Sequence, residues 1–387
     1  MSFEDYLVSP SKNDINDRTI IKLKTYDKPV VIFGTGFAAR HFTEILHDNG
    51  IEISAYCEGN EYYQQGKTVE GKSVYNIEKL GEIYEECSLV VTATGATVYQ
   101  YVMNAKNNRY NTSCEIFPLV YRNQLYEMSY EFIKNNKGQF NNTYELFEDE
   151  ESKIVFLSYI DAKANCIKED IIKPIYELWN SKQYFNDLYP KDFFHKHVLL
   201  DCGAYIGDTA EQFINFIQAS DLQKYVYAYE SDEQNFEQLK CVAEKYNIIK
   251  PYPYGVGEQS KQLYFEMDGT SHSRVVDYET EHKIRIVSID DMIKNGKMGG
   301  DVSFVKMDLE GEEIPALKGM SKLISENMPM LAVCVYHKQA DLIEIPKVIM
   351  KIANKTKKNI KYKFYLRHHS FNVAELVLYA VPVTILS

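Results

Sequence analysis

The chain has no long hydrophobic run, and none of its segments approaches the roughly 18–20 apolar residues that a bilayer-spanning helix needs. Its start, Met1-Ser-Phe-Glu-Asp5, has neither a basic region nor an apolar core, which argues against a secretory signal peptide and for a cytoplasmic protein. The seven cysteines, at positions 57, 87, 114, 166, 202, 241 and 334, form no Cys-x-x-Cys pair, and their number is odd. Reduced thiols fit this pattern better than a disulfide framework or a cysteine-rich zinc site. Basic charge is short as well: 43 Lys and Arg stand against 55 Asp and Glu, a formal net charge of -12. A protein whose main partner is nucleic acid needs the opposite balance. There is also no internal repeat of about 20–50 residues, which excludes a solenoid or propeller. What remains is an ordinary globular composition, 45% hydrophobic and 25% charged over 387 residues, enough chain for two or three domains.

Against this background one stretch stands out, His197-Val-Leu-Leu-Asp201-Cys-Gly203-Ala204-Tyr-Ile-Gly207-Asp208-Thr209. The apolar run predicts a buried parallel strand. Gly203 and Gly207 allow a sharp turn and a close backbone approach to a ligand. Asp208 or Thr209 is placed to cap the following helix, with Glu211 completing a capping box. The acidic strand end at Asp201 suits a positively charged ligand better than a pyrophosphate. Glu230 ends the next predicted strand, at roughly the 20-residue spacing where a nucleotide fold holds a ribose diol, an acceptor-only role suited to a carboxylate.

A similar but weaker pattern occurs near the N-terminus. Val30-Val-Ile-Phe-Gly34-Thr-Gly36-Phe-Ala-Ala39 reads as a strand, a Gly-x-Gly-x-x-Ala loop and a helix, and Glu58 ends the strand after it. Residues 1–125 are expected to form this smaller Rossmann-like domain, 126–190 a helical bridge, and 191–387 a larger α/β domain. The Asn-, Lys- and Gly-rich stretch 134–145 reads as a polar loop. In 191–387, strands near 197–201, 225–230, 249–254, 261–266, 284–288, 302–308, 329–336, 361–366 and 375–381 alternate with helices near 208–218, 232–246, 289–295, 312–325 and 341–354. Such alternation predicts a parallel sheet covered by helices on both faces. Only Arg367-His-His-Ser-Phe-Asn372 separates the last two strands, too short a link for a parallel crossover, so the sheet should end in an antiparallel strand.

Ligands of open α/β sheets lie beyond the carboxyl ends of the strands. Asp201, Glu230, Asp308, Glu310 and His337 are all predicted there. Several carboxylates on the Asp308-Leu-Glu310-Gly-Glu312-Glu313 loop call for a nearby cation, whether a sulfonium, Lys306 or a metal; no metal site is assigned. Glu312 and Glu313 are explained by the helix dipole alone. His337 is the first candidate for a general base, since its ordinary pKa suits that role. Asp308 is the alternative base, and Glu310 would orient the acceptor. Arg367, His368 and His369, on the predicted loop, would grip an anionic or sugar acceptor.

The segments Asp201-Cys-Gly-Ala-Tyr-Ile-Gly207, Tyr229-Glu230, Val287-Ser-Ile-Asp290 and Lys306-Met-Asp308-Leu-Glu310-Gly-Glu312 resemble, in order, the motifs of the FkbM family of S-adenosylmethionine (SAM)-dependent methyltransferases. Val335-Tyr-His337-Lys338, Tyr365-Leu-Arg367-His-His369 and Leu378-Tyr-Ala380 are similar to the C-terminal end of one subgroup. The resemblance covers about residues 195–382. Ser231 stands where the family has proline, and Leu309 where valine is common. The resemblance implies a class I methyltransferase sheet that transfers a SAM methyl group to a hydroxyl of a sugar, glycan precursor or natural product. It places Asp201, Gly203, Ala204, Gly207, Asp208, Thr209 and Asp308 around SAM, Glu230 and Ser231 at its ribose, and Val256 by the adenine. The expected partner is therefore a small-molecule or glycan acceptor, with homodimer formation left open.

The N-terminal segment is similar to the small Rossmann-like domain of PglD-type acetyltransferases, which implies nucleotide-sugar contacts from Gly34, Gly36 and Glu58. Two other functions are kept in view: an NAD(P)-dependent oxidoreductase acting on a nucleotide-sugar through the N-terminal domain, and a SAM-binding scaffold without turnover.

Overall fold

The structure, a computed structural model, describes residues 2–10, 15–93, 96–118, 128–168, 171–173, 175–218, 220–267, 273–276, 278–280, 282–370 and 373–385. By contact the chain forms two compact units that interleave in sequence. The first contains Met1–Lys137, Lys153–Ser181 and Arg367–Leu376; the second contains Gly138–Ser152, Lys182–Leu366 and Val377–Ser387. The segment expected as a bridge, 126–190, therefore contributes to both units. Among the described residues no helix is long and apolar enough to cross a membrane.

In the first unit, β1 (Val30–Phe33), β2 (Ile53–Glu58), β3 (Thr68–Val69), β4 (Lys72–Asn76), β5 (Glu86–Val91) and β6 (Ser113–Pro118) form one sheet of order β3-β4-β2-β1-β5-β6. Every pairing is parallel except the β3–β4 hairpin. All four residues of β1 are buried, as a strand covered on both faces requires. The helix Phe37–Asp48 packs through Ala39, Phe42, Thr43 and Leu46, the one-sided spacing of an amphipathic helix. Because β2 lies on one side of β1 and β5 on the other, the chain leaves β1 in one direction and returns on the opposite side. This switch opens a crevice at the carboxyl end of β1.

The second unit repeats that plan on a larger scale. Its strands are β7 (His197–Cys202), β8 (Lys224–Tyr229), β9 (Ile249–Tyr252), β10 (Gly255–Val256), β11 (Lys261–Met267), β12 (Ser273–Val276), β13 (His282–Val287), β14 (Phe304–Met307), β15 (Met330–Cys334), β16 (Ile360–His368) and β17 (Leu376–Thr384). The main sheet has the order β16-β17-β15-β14-β7-β8-β9. Strands β9, β8, β7, β14 and β15 run parallel, and β17 is antiparallel to β15. Here the switch point is β7, between β8 and β14.

Three sequence expectations need correction. The strands near 261–266 and 284–288 do not join the main sheet; they form a separate, mostly antiparallel sheet of order β10-β13-β11-β12. The stretch 134–145 is helical, split into Tyr130–Asn135 and Lys137–Leu146. Its polar residues conceal an inward row of Phe140, Thr143 and Tyr144 at helical spacing. Finally, neither Asp208 nor Thr209 caps the helix Asp208–Phe216: the cap is Gly207 in the left-handed conformation, with no side-chain bond.

Candidate functional site

At the end of β7 the Asp201 side chain is completely buried. The Lys306 ammonium on neighbouring β14 lies 3.4 Å from its Oδ1, and neither carboxylate oxygen has a well-formed hydrogen bond among the described residues. Burial pushes the Asp201 pKa up to about 6, against the pull of Lys306. Burial works against the Lys306 charge too, yet Asp201 and Asp308 hold its pKa above the ordinary lysine value. Lys306 also donates to the Gly203 carbonyl, tying the two strand ends together. Gly203 has φ +82°, and a Cβ there would sit 2.0 Å from the Asp308 carbonyl oxygen. Only glycine lets the two loops touch.

The Gly203 and Ala204 amides donate to the Tyr229 carbonyl at 3.0 and 2.9 Å, fixing the loop against the end of β8. Glu230 follows. Its Oε2 accepts from the Tyr205 amide at 2.9 Å and its Oε1 from the Asp232 amide at 2.7 Å. Two backbone donors thus aim a half-exposed carboxylate whose remaining lone pairs are free to accept from a diol. Ser231 is next to it, Thr209 is buried, Asp208 is exposed, and Val256 is buried on β10.

Past β14 and β15, His337 is 2% exposed and surrounded by acids. Its Nδ1 lies 2.9 Å from Glu313 Oε1, and its Nε2 lies 3.4 Å from Asp308 Oδ1 and 3.6 Å from Glu310 Oε2. Burial alone would lower its pKa, but the bond to Glu313 and the surrounding acids raise it. Glu313 is fully buried; its Oε1 also accepts from the Leu309 amide at 2.8 Å, while Oε2 has no hydrogen-bond partner among the described residues. The Tyr184 hydroxyl reaches within 3.4 Å of Asp308 Oδ2, and that of Tyr336 within 3.5 Å of Oδ1. Glu310 is exposed, with φ +52°, a strained conformation of the kind that gathers at functional sites.

Asp201, Glu230, Asp308, Glu310 and His337 therefore lie together along the carboxyl edge of one sheet. Sequence reading missed Glu313 as a partner of His337, along with both tyrosines. Asp308, Glu313 and His337 also offer ligand atoms within 4.8 Å of one another, a set that a divalent cation could bridge.

Arg367, His368 and His369 are not on an open loop. β16 continues to His368, and all three side chains are nearly fully buried in the segment grouped with the first unit. His369 Nδ1 donates to the Asn180 carbonyl at 2.6 Å, and burial lowers its pKa to about 3. In the first unit, Gly34, Gly36 and Glu58 line a cavity at the carboxyl ends of β1, β2 and β5.

The residues at the second unit's sheet edge fit SAM by their chemistry. The Asp201 carboxylate, with Lys306 as its neighbouring cation, has lone pairs not used in hydrogen bonds among the described residues, and Glu230 is aimed with capacity to spare for a ribose. Residues 201–358, less than half of the chain, match the methyltransferase FkbM domain. No curated protein matches the chain. Among solved structures, methyltransferase FkbM from Methylobacillus flagellatus KT is similar over 97% of this chain and 94% of its own, with 20% identity and a TM-score of 0.56. Fibrillarin from Aeropyrum pernix, in complex with natively bound S-adenosyl-L-methionine, is 12% identical over 49% of this chain and 67% of its own, with a TM-score of 0.31. A precorrin-6y C5,15-methyltransferase from Geobacter metallireducens GS-15 is 7% identical over 50% and 82%, with a TM-score of 0.28. Residues 201–358 of the second unit thus match the methyltransferase FkbM domain, which implies SAM as the methyl donor, and the chain shares the fold of a solved methyltransferase FkbM.

Proposed function

We propose that this protein is an O-methyltransferase that acts on a hydroxyl group of a small acceptor, with sugars and glycan precursors the first class to test. The observation that carries this reading is the contact between the glycine loop and the Asp308 loop at Gly203. It sets the base candidate His337 beside the residues that would hold the methyl donor. When bound, SAM supplies an electrophilic sulfonium methyl group. Asp201, Gly203, Ala204 and Gly207 would face its methionine end, Glu230 would accept from its ribose hydroxyls, and Val256 would border its adenine.

An alcohol is a weak nucleophile near neutral pH, so removing its proton helps. Glu313 accepts the Nδ1 proton of His337 and thereby selects the tautomer whose Nε2 carries the lone pair, the orienting role that a carboxylate plays for histidine in hydrolase triads. That lone pair faces Asp308 and Glu310, an unfavourable arrangement for the neutral ring alone. An acceptor hydroxyl placed between them would donate to Nε2 or to Asp308. Once His337 takes the proton, the three carboxylates stabilise the imidazolium. Most of the remaining acceleration would come from positioning.

Two measurements test the proposal. Calorimetry with S-adenosylhomocysteine should give saturable binding that Glu230→Gln weakens; no binding, or binding indifferent to this change, rejects the site. Mass-spectrometric detection of methylated products from SAM and a panel of sugars should give an alkali-stable +14 Da product, as expected of an ether. Methylation only of carboxylates or amines would reject the hydroxyl acceptor.

A further inference from the structure

We propose that the first unit holds a second ligand site, independent of the methyl-donor site, for a ribonucleotide carrying a 5′ phosphate. A cavity of about 860 Å³ opens at the carboxyl ends of β1, β2 and β5. That is the size of a small-molecule site, and it lies where the strand order reverses.

Three features meet in it. The first is Glu58, at the end of β2 and 5% exposed. Its Oε1 accepts from the Thr35 hydroxyl and from Lys67 Nζ, the latter at 2.7 Å. Its Oε2 is buried and has no hydrogen-bond partner among the described residues. Leaving a buried carboxylate oxygen without a donor costs free energy, and the cavity is where a donor could arrive. The second is the N-terminus of the helix Phe37–Asp48, capped by Gly36 with no side-chain bond and with no acid in its first turn. Its dipole and the first-turn amides of Ala38 and Ala39 favour an anion, and a Cβ at Gly36 would meet nothing within 4 Å. The third is Lys67, which spends one donor on Glu58 and one on Thr35, at 3.0 Å, and has a third left for the cavity.

A hydroxyl-bearing ring would satisfy Glu58 Oε2, and a phosphate would satisfy the helix terminus and Lys67. A ribose 5′-phosphate carries both, and the exposed rings of Phe37 and Tyr62 on the cavity rim offer faces on which a base can stack.

The experiment titrates the full chain calorimetrically with the mono- and diphosphates of adenosine, guanosine, uridine and cytidine. For any that binds, it is repeated with the 2′-deoxynucleotide and with the unphosphorylated nucleoside. The expected result is saturable binding that weakens about tenfold or more without the 2′-hydroxyl, and again without the phosphate. Glu58→Gln and Lys67→Met should each weaken it similarly while leaving S-adenosylhomocysteine binding unchanged. The deoxy comparison uses the unaltered protein, so it decides even where a variant fails to fold. Absence of saturable binding by every nucleotide at millimolar concentration, or binding indifferent to the 2′-hydroxyl and the phosphate, overturns the proposal. Failure here leaves the methyl-donor reading untouched.

Discussion

The two parallel sheets of this protein use one plan with opposite electrostatics. Each has a switch-point strand, a glycine loop, a helix, and an acid at the end of the adjoining strand. The helix after β1 carries no acid in its first turn, whereas the helix after β7 carries Asp208 and Glu211. Acids there neutralise the dipole that would otherwise draw an anion. The acid on the first sheet, Glu58, is buried against Lys67; the acid on the second, Glu230, is held by two backbone amides. The first site thus offers positive charge to a ligand and the second negative. The comparison teaches that a glycine loop by itself names a place, and that the charges around it name the ligand.

The largest expected effect falls on the chemistry proposed for the second unit. His337→Gln should lower kcat by about 10²–10⁴-fold, the range of general-base catalysis. Affinity for S-adenosylhomocysteine should stay within about threefold, since the proposed mechanism has His337 serve the acceptor. Initial rates with calorimetry check this. A kcat that falls less than tenfold would move the base role to Asp308 and leave the two sheets less distinct than argued.

The glycine loops themselves should respond differently. Gly203→Ala combines a positive φ with a Cβ 2.0 Å from a backbone oxygen, and should cost about 3 kcal/mol through strain and overpacking. Gly36→Ala meets open space at φ −77° and should change stability by less than about 1 kcal/mol. Urea unfolding of both variants tests the pair. Equal losses would mean that the loop of the second unit is not pinned to Asp308.

Smaller in magnitude is an exchange of acids. Glu230→Gln should weaken S-adenosylhomocysteine about tenfold, by loss of a hydrogen bond to a charged group, with no change in nucleotide titration of the first unit. Glu58→Gln should do the reverse. A variant that weakens both ligands would show that the two sites are coupled.

Much of this was legible in the sequence because it is local. The strand at 197–202, the glycine turn and the acid at 230 lie within a few dozen residues, and the antiparallel strand expected late in the chain is β17, antiparallel to β15. The parts that were not legible depend on distant or one-residue facts. Glu312 and Glu313 look alike as acids at a helix start, yet the first is exposed and the second is fully buried against His337. Tyr184 meets Asp308 across 124 positions. Periodicity identified β11 and β13 as strands but carries no information on which sheet a strand joins, because the pleat repeats identically in both. Arg367 to His369 read as an exposed loop because charged residues are mostly exposed; the extension of β16 to His368 leaves all three buried instead.

The smallest effect is also the one that separates the roles of the buried acids. The Asp201 pKa is raised to about 6 from an ordinary 3.8, so the folded state holds a proton that the unfolded chain has released. Stability from this group is therefore full below about pH 4 and declines as pH rises to about 6. His337 has a pKa raised above the usual 6.5, so its contribution is full below that value and is lost only at higher pH, as the folded form deprotonates. In the proposed mechanism methyl transfer needs the deprotonated ring, so kcat should climb with pH over the range where His337 ceases to stabilise the fold. Glu313→Gln keeps a hydrogen-bond acceptor at Nδ1 but removes the charge. It should shift the midpoint of the kcat profile downward, whereas Asp201→Asn should leave that midpoint in place and flatten the melting-temperature profile between about pH 4 and 6. If Glu313→Gln leaves the kcat midpoint unmoved, the buried carboxylate beside Nδ1 supports the fold and not the base.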